Sequence, residues 1–237
     1  MPTLRTIWSF LKEYNVLDWM LIIGINVAGF IALGIKFDKD FNEFLDIDID
    51  QERKTATIPY IIILVVEYGA VPILMLLIII FVSQTISIRK TLTAYYFAIG
   101  LNLLISNSLA RFIGRPRPDT IAICGGDGSF QRCYNVLSAT ELRTQFTSFP
   151  SVHTSEAMTS LLFLSFFFSD LWSQFHMGIL VLRLFPVCLA FLVGATRIWD
   201  RNSHVDDVLA GLFIGGVLCT TVYTVYRKGQ RAKYNIN

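Results

Sequence analysis

Charge is what this chain has least of. Only 16% of its 237 residues are Asp, Glu, Lys or Arg, where a soluble domain carries about a quarter. That scarcity argues against a water-soluble globule. The formal net charge is only +2, so nothing points to a nucleic-acid partner. No Asn-x-Ser/Thr sequon occurs, and the acidic stretch 38–52 lacks the glycine-bearing loop that a calcium site needs. The first residues, MPTLRTIWSFLKEYN, have no continuous apolar core and no small-residue cleavage site, so no cleavable signal is expected. There are four cysteines. Cys188 and Cys219 fall within apolar runs and read as packing residues. Cys124 and Cys133 share one glycine-rich loop and are expected to be bridged if that loop faces an oxidising compartment.

What the chain has is long apolar runs. Hydrophobic residues make up 54% of it, clumped into stretches of about 20, the length at which a helix crosses about 30 Å of hydrocarbon. The expectation is an all-α polytopic membrane protein, one domain over 1–237, with six transmembrane helices at 17–35, 71–88, 92–109, 154–168, 177–195 and 208–226. Residues 1–16 read as an amphipathic lead and 38–52 as a solvated loop. The run 58–82 is long for one crossing and contains Glu67, Gly69 and Pro72. It is read as a surface or re-entrant piece followed by a span from residue 71. Six spans put both termini on one side together with Arg5, Lys12, Arg89, Lys90, Arg227, Lys228, Arg231 and Lys233. The positive-inside rule makes that side cytoplasmic. Gly211 and Gly215 form a small-xxx-small pair that could serve the bundle interior or a homo-oligomer.

Three polar knots then fall on the extracellular or lumenal side: 110–119 (ARFIGRPRPD), 148–155 (SFPSVHTS) and 196–211 (TRIWDRNSHVDDVLAG). Charges at the ends of membrane-length runs are costly unless they face water, a pocket or one another. Arg115 and Arg117 sit on a backbone stiffened by Pro116 and Pro118, and the guanidinium fork suits phosphate. Ser151 and His153 follow Pro150 at a helix start, where free N–H groups favour an anion. Arg197 closes a run. His204 and Asp207, three apart, share a helix face, and the carboxylate would fix the imidazole tautomer. Bundled helices would gather these residues into one phosphate site.

The three knots resemble the three motifs of the type-2 phosphatidic acid phosphatases, the lipid phosphate phosphatases: Lys-x6-Arg-Pro, Pro-Ser-Gly-His and Ser-Arg-x5-His-x3-Asp. The resemblance implies a six-helix membrane enzyme with an outward-facing site that acts on lipid phosphates in the membrane without metal or cofactor. A third-motif histidine attacks phosphorus, an aspartate orients it, and the second-motif histidine protonates the leaving alkoxide. Carried over, His153, His204 and Asp207 are the catalytic candidates, and Arg115, Arg117, Ser151 and Arg197 the phosphate-binding ones. Three positions depart from the pattern. Ala110 stands for the lysine, with Arg111 beside it; Val152 stands for the glycine; and Ser203 stands at the histidine position, with His204 one place late. Ser203 reads as an N-cap with Asp206 as its capping-box partner. The expectation is therefore a degraded centre, a pseudo-enzyme with weak or no turnover that still binds phosphatidate-type lipids. The alternative is an active enzyme using His204 and His153 on phosphatidate, lysophosphatidate or sphingosine phosphate.

Overall fold

A computed structural model describes residues 16–34, 49–83, 86–172 and 176–234. The expected amphipathic lead and most of the acidic loop lie outside the described residues. All the regular structure described is helical. Helix α1 is Val16–Gly34. Helices α2 (Tyr60–Val65) and α3 (Val71–Phe81) are joined by a π-helical turn, Val66–Ala70. Helix α4 is Ile88–Ile113. Three short helices, α5 (Thr120–Cys124), α6 (Phe130–Val136) and α7 (Ala139–Gln145), follow. The chain ends with α8 (Val152–Leu171), α9 (Met177–Trp199) and α10 (Val205–Tyr234).

Five stretches among the described residues are long and apolar enough to cross a membrane: α1, the joined α2–α3, α4, α9, and α10 as far as Gln230. Helix α8 is set apart by composition and by place. Its polar residues Thr154, Ser155, Glu156, Thr159 and Ser160 are all buried, because it packs against α4, α9 and α10 at once. Buried polar groups thus lie beside an apolar core that includes Met75, Ile99, Phe163 and Phe167, and the outer face of the bundle is apolar. Phe81, Met20 and Phe213 stand exposed on its outer face. Within, Ser106 Oγ lies 2.9 Å from Ser155 Oγ and Tyr95 Oη lies 2.7 Å from Ser160 Oγ, joining α4 to α8. Asn107 donates to the Gly29 carbonyl of α1 at 3.1 Å. Gly211 and Gly215 turn to α8. A Cβ on Gly211 would meet the Ser151 carbonyl at 2.6 Å, and one on Gly215 would run into the Ser155 carbonyl. The small-residue pair therefore serves helix packing inside the bundle.

The 58–82 run differs from its reading as a surface piece plus a span over 71–88. It is one continuous helical rod ending at Phe81, and the next helix begins at Ile88. Glu67 does not break the rod because it turns inward, only 1% exposed. Pro72 has no N–H to offer the carbonyls four and five residues behind it. Those carbonyls are taken by two tyrosines of α4: Tyr95 Oη donates to Glu67 O at 2.6 Å and Tyr96 Oη to Tyr68 O at 3.3 Å. The π turn is thereby stabilised from a neighbouring helix.

At one end of the bundle α5–α7 form a cap with its own small core of Cys124, Cys133, Leu142 and Phe146. Cys124 and Cys133 are disulfide-bonded, with Cα atoms 4.8 Å apart. Helix α7 opens on a capping box in which Ser138 and Glu141 serve each other's backbone N–H. Those two hydrogen bonds hold the exposed Glu141 carboxyl below its usual range.

Candidate active site

The polar knots meet at the cap end. Helix α4 stops at Gly114, whose φ of 65° places it in the left-handed region that glycine tolerates. The chain then runs without regular structure through Arg115–Arg117 into a turn at Pro118 and Asp119. Ser148 N–H donates to Arg115 O at 3.0 Å and Arg117 N–H to Gln145 O at 3.1 Å, tying this segment to the approach to α8. Gln145 in turn donates from Nε2 to Asp119 at 2.8 Å and to Thr120 at 2.9 Å. Ser151 N–H donates to Asp207 O at 3.0 Å, joining the start of α8 to that of α10.

The turn between α9 and α10 decides which residue meets Asp207. Arg201 adopts a φ of 58°, and the Asn202 and Ser203 amides both fold back to the Arg197 carbonyl, at 3.0 and 3.3 Å. Helix α10 begins at Val205. The N-cap is therefore His204, not Ser203, and the carboxylate reaching back to it is Asp207, not Asp206. Asp207 Oδ2 accepts the His204 N–H at 2.8 Å and lies 3.1 Å from His204 Nδ1. Ser148 Oγ also donates to Asp207, and Arg115 donates to Asp207 Oδ1 at 2.7 Å while pairing with Asp206. Asp207 is 0% exposed and fully engaged. His204 Nε2 is buried and has no hydrogen-bond partner among the described residues. An imidazole held at Nδ1 by a carboxylate, with Nε2 free, presents a nucleophilic nitrogen.

The other candidates are placed as follows. His153, in the first turn of α8, lies within electrostatic range of Arg117 and Arg197, and its ring packs on Tyr60 with centroids 4.8 Å apart. Arg197 is 3% exposed. The Nε atoms of Arg117 and Arg197 are buried without a partner among the described residues. Arg117 donates to Asn202 Oδ1 at 3.3 Å. Burial pushes the Arg117 guanidinium below its ordinary range, against the pull of Asp119 and Asp207. Two buried guanidiniums this poorly paired favour an anion between them.

Arg115, by contrast, is spent on Asp206 and Asp207, and so acts on the histidine's partner. Ser151 Oγ lies 2.9 Å from Thr154 Oγ1, turned into the bundle, and makes no cap hydrogen bond. Arg111 does not fill the lysine's place: its guanidinium goes to the carbonyls of Arg143, at 2.9 Å, and Leu33. Val152 is the first residue of α8, and its φ is not positive. That helical backbone accommodates a branched residue. His204, Asp206 and Asp207 lie close enough to hold a cation, and Arg115 already pairs with both carboxylates.

Three features escape a reading of motifs. Ser148 lies in the second knot and serves Asp207. Asp200, beside Arg197, clamps Thr57 through its N–H at 2.7 Å and its hydroxyl at 2.5 Å. That clamp brings Arg53 and Lys54 to the site. Both line a pocket of about 380 Å³ with Arg117, Asp119, Asn202 and Gln145, and Lys54 Nζ sits 4.3 Å above the Trp199 ring. The one sequence signal for them is a basic pair closing an acidic loop just ahead of an apolar run.

Known proteins are similar to this chain in sequence. Lipid phosphate phosphatase 1 of Arabidopsis thaliana is 28% identical over 87% of this chain and 66% of its own length. Lipid phosphate phosphatase 2 of the same plant is 25% identical over 93% of the chain and 80% of its own length. Phospholipid phosphatase 2 of Rattus norvegicus is 30% identical over 60% of the chain and 55% of its own length. No solved structure matches. The family model of the PAP2 superfamily matches residues 91–231, from α4 through most of α10 and all three knots. With more than half its length matched, and with an integral membrane bundle behind the match, the chain belongs to the PAP2 superfamily.

Proposed function

We propose that the protein is an active, metal-independent lipid phosphate phosphatase in which His204 is the nucleophile and His153 the general acid. The observation that carries this is the His204–Asp207 pair, with Nδ1 at 3.1 Å and Nε2 buried and unpartnered. That geometry favours turnover over the degraded centre expected from the motif spacing. The Nε2 lone pair attacks phosphorus, and the bond from phosphorus to the lipid oxygen breaks. His153, charged only once the lipid phosphate offsets the nearby Arg117 and Arg197, gives its proton to the departing alkoxide. Neutral His153 then takes a proton from water as the hydroxyl attacks the phosphohistidine, releasing phosphate and restoring both imidazoles. Arg117 and Arg197 stabilise the phosphoryl oxygens, helped by the N–H groups of the first turn of α8. Asp207, braced by Arg115 and Ser148, holds the His204 tautomer. Arg53 and Lys54 add positive charge at the mouth.

The substrate class is a phosphate monoester of a membrane lipid: phosphatidate, lysophosphatidate or sphingosine phosphate. Six helices, with α8 as the enclosed one, would place both termini in the cytoplasm. The disulfide-bonded cap and the site would then face the extracellular or lumenal side, where such bridges persist. The test is phosphate release from phosphatidate by purified protein in lipid nanodiscs. His204→Ala is expected to lower turnover at least about 10³-fold, and Ser203→Ala by less than about 5-fold. An inert wild type that still binds phosphatidate would restore the pseudo-enzyme reading.

A further inference from the structure

The two histidines of the site are held by different means. His204 is fixed through Nδ1 by the Asp207 carboxylate. His153 has no such tie: its ring makes no hydrogen bond among the described residues. What meets it is Tyr60, the first residue of α2, with ring centroids 4.8 Å apart and planes at 54°. Tyr60 is held in turn. Its hydroxyl donates to Glu156 Oε1 at 2.9 Å. Glu156 stands three residues after His153 on α8, so the two share a face of that helix. Glu156 is fully buried, and its Oε2 has no partner among the described residues. Three residues before Tyr60, Thr57 is clamped to Asp200. The tyrosine is thus tied at its tip to α8, and through the chain ahead of it to the turn that leads to His204.

An imidazole without a hydrogen-bond partner is oriented by packing alone, and a group that must hand over a proton needs a fixed direction. A tyrosine whose hydroxyl serves a buried carboxyl cannot swing away without leaving that acceptor unpaired. We propose that Tyr60, held by Glu156, is the positioning residue for the general acid, its ring setting the orientation from which His153 gives its proton to the leaving alkoxide. The inference rests on the phosphatase reading and deepens it. It gives a part in the chemistry to α2, which lies ahead of the residues 91–231 that match the family. The same ring keeps water from the imidazole. Burial, with Arg197 and Arg117 nearby, holds His153 well below its usual range, so removing the ring should let it rise.

The test turns on the leaving group. An alkoxide needs a proton to depart, whereas a nitrophenolate leaves without one. Release in the first turnover is followed in lipid nanodiscs from phosphatidate and from a nitrophenyl phosphate that carries an alkyl chain, so the later hydrolysis of the phosphohistidine does not enter. Tyr60→Leu is expected to slow release from phosphatidate about 10²-fold and release of nitrophenolate by less than about 3-fold. Tyr60→Phe keeps the ring and loses the tie, and should cost about 3–10-fold on phosphatidate alone. Glu156→Leu should show the same split as Tyr60→Phe, and Glu156→Gln, whose amide oxygen still accepts from Tyr60, should recover most of that loss. Equal losses on the two esters, or none on phosphatidate, overturn the proposal. A wild type that releases neither alcohol nor nitrophenolate would end the phosphatase reading, and the positioning is then read from the imidazole itself. The protein has three histidines, so NMR of ring-labelled histidine, with His153→Gln for assignment, follows His153 alone. Tyr60→Leu is expected to raise its titration midpoint by about one pH unit or more. A midpoint that Tyr60→Leu leaves unchanged overturns the inference whatever the catalytic result.

Discussion

The two sides of the phosphate site are furnished very differently. On the α9–α10 side the carboxylates are matched to partners. Asp207 takes His204, Ser148 and Arg115, and Asp200 takes Thr57. On the α4–α8 side stand the replacements: Ala110 buried, Arg111 bonded to carbonyls, Val152 without a polar group. The difference teaches that a histidine–carboxylate unit and a cradle of positive charge are built in different ways. A nucleophile and its orienting carboxylate act as one unit, and losing either loses both. A cradle of positive charge is distributed, so one lost cation can be offset by another at a comparable distance.

The sharpest way to break the comparison is Asp207→Asn. If the amide oxygen keeps the two His204 contacts, its NH2 is set against the Arg115 guanidinium, and the negative charge that holds Nδ1–H is gone. Turnover at saturating lipid is expected to fall about 10³–10⁴-fold, by analogy with orienting carboxylates elsewhere. A loss below 10-fold would mean that His204 does not depend on Asp207. Next comes Arg197→Ala, which removes a nearly buried cation beside Arg117 and His153. A fall in kcat/KM of about 10²–10³ is expected, the size seen for one preorganised group on a developing oxyanion. An effect confined to protein yield would make Arg197 structural.

Packing sets a smaller effect at the joint between the two sides. Gly215→Ala would drive a methyl group into the Ser155 carbonyl and to 3.0 Å from Thr159 Oγ1. Overpacking of this kind costs about 1–3 kcal/mol. It should appear as a lower midpoint in thermal unfolding of the detergent-solubilised protein, with catalysis per folded molecule changed by less than about 5-fold. Loss of activity without loss of stability would show that the α8–α10 spacing tunes the site directly.

Much of this was legible because membrane helices advertise themselves. Apolar runs of bilayer length ending in charge overlap α1, α4, α9 and α10, although α10 runs eight residues past the expected end, and the polar knots lay at their ends. Glycine spacing pointed to a close helix approach at Gly211 and Gly215. The illegible parts share one cause: the partner lies far off in the chain. Glu67 and Pro72 interrupt the apolar pattern, and Tyr95 and Tyr96, which take the carbonyls freed at the π turn, each lie 28 residues from the carbonyl they bond. Ser203 read as an N-cap because the fold-back of its amide onto Arg197 O depends on Arg201 adopting a positive φ. Arg115 read as a phosphate ligand because nothing local shows that Asp206 and Asp207 claim it.

The smallest effect sharpens the comparison most finely, because it asks what stands in for the lysine replaced by Ala110. Arg111 is held elsewhere by two carbonyls. Lys54 and Arg53 line the pocket with Arg117, delivered there by the Thr57–Asp200 clamp. Lys54 is steadied over Trp199 at 4.3 Å, a contact worth about 0.5–1 kcal/mol at an exposed site. Its ammonium stands at the mouth, where water screens it, so it should help gather the headgroup more than it stabilises the reacting phosphoryl group. Lys54→Ala is therefore expected to raise KM for phosphatidate about 3–10-fold with kcat within 2-fold, and the effect should shrink as salt rises. Lys54→Arg should restore most of it. A fall in kcat beyond about 100-fold would be a different result: the lysine would reach the transferring phosphoryl group, and the α4–α8 side would be repaired from the loop ahead of α2.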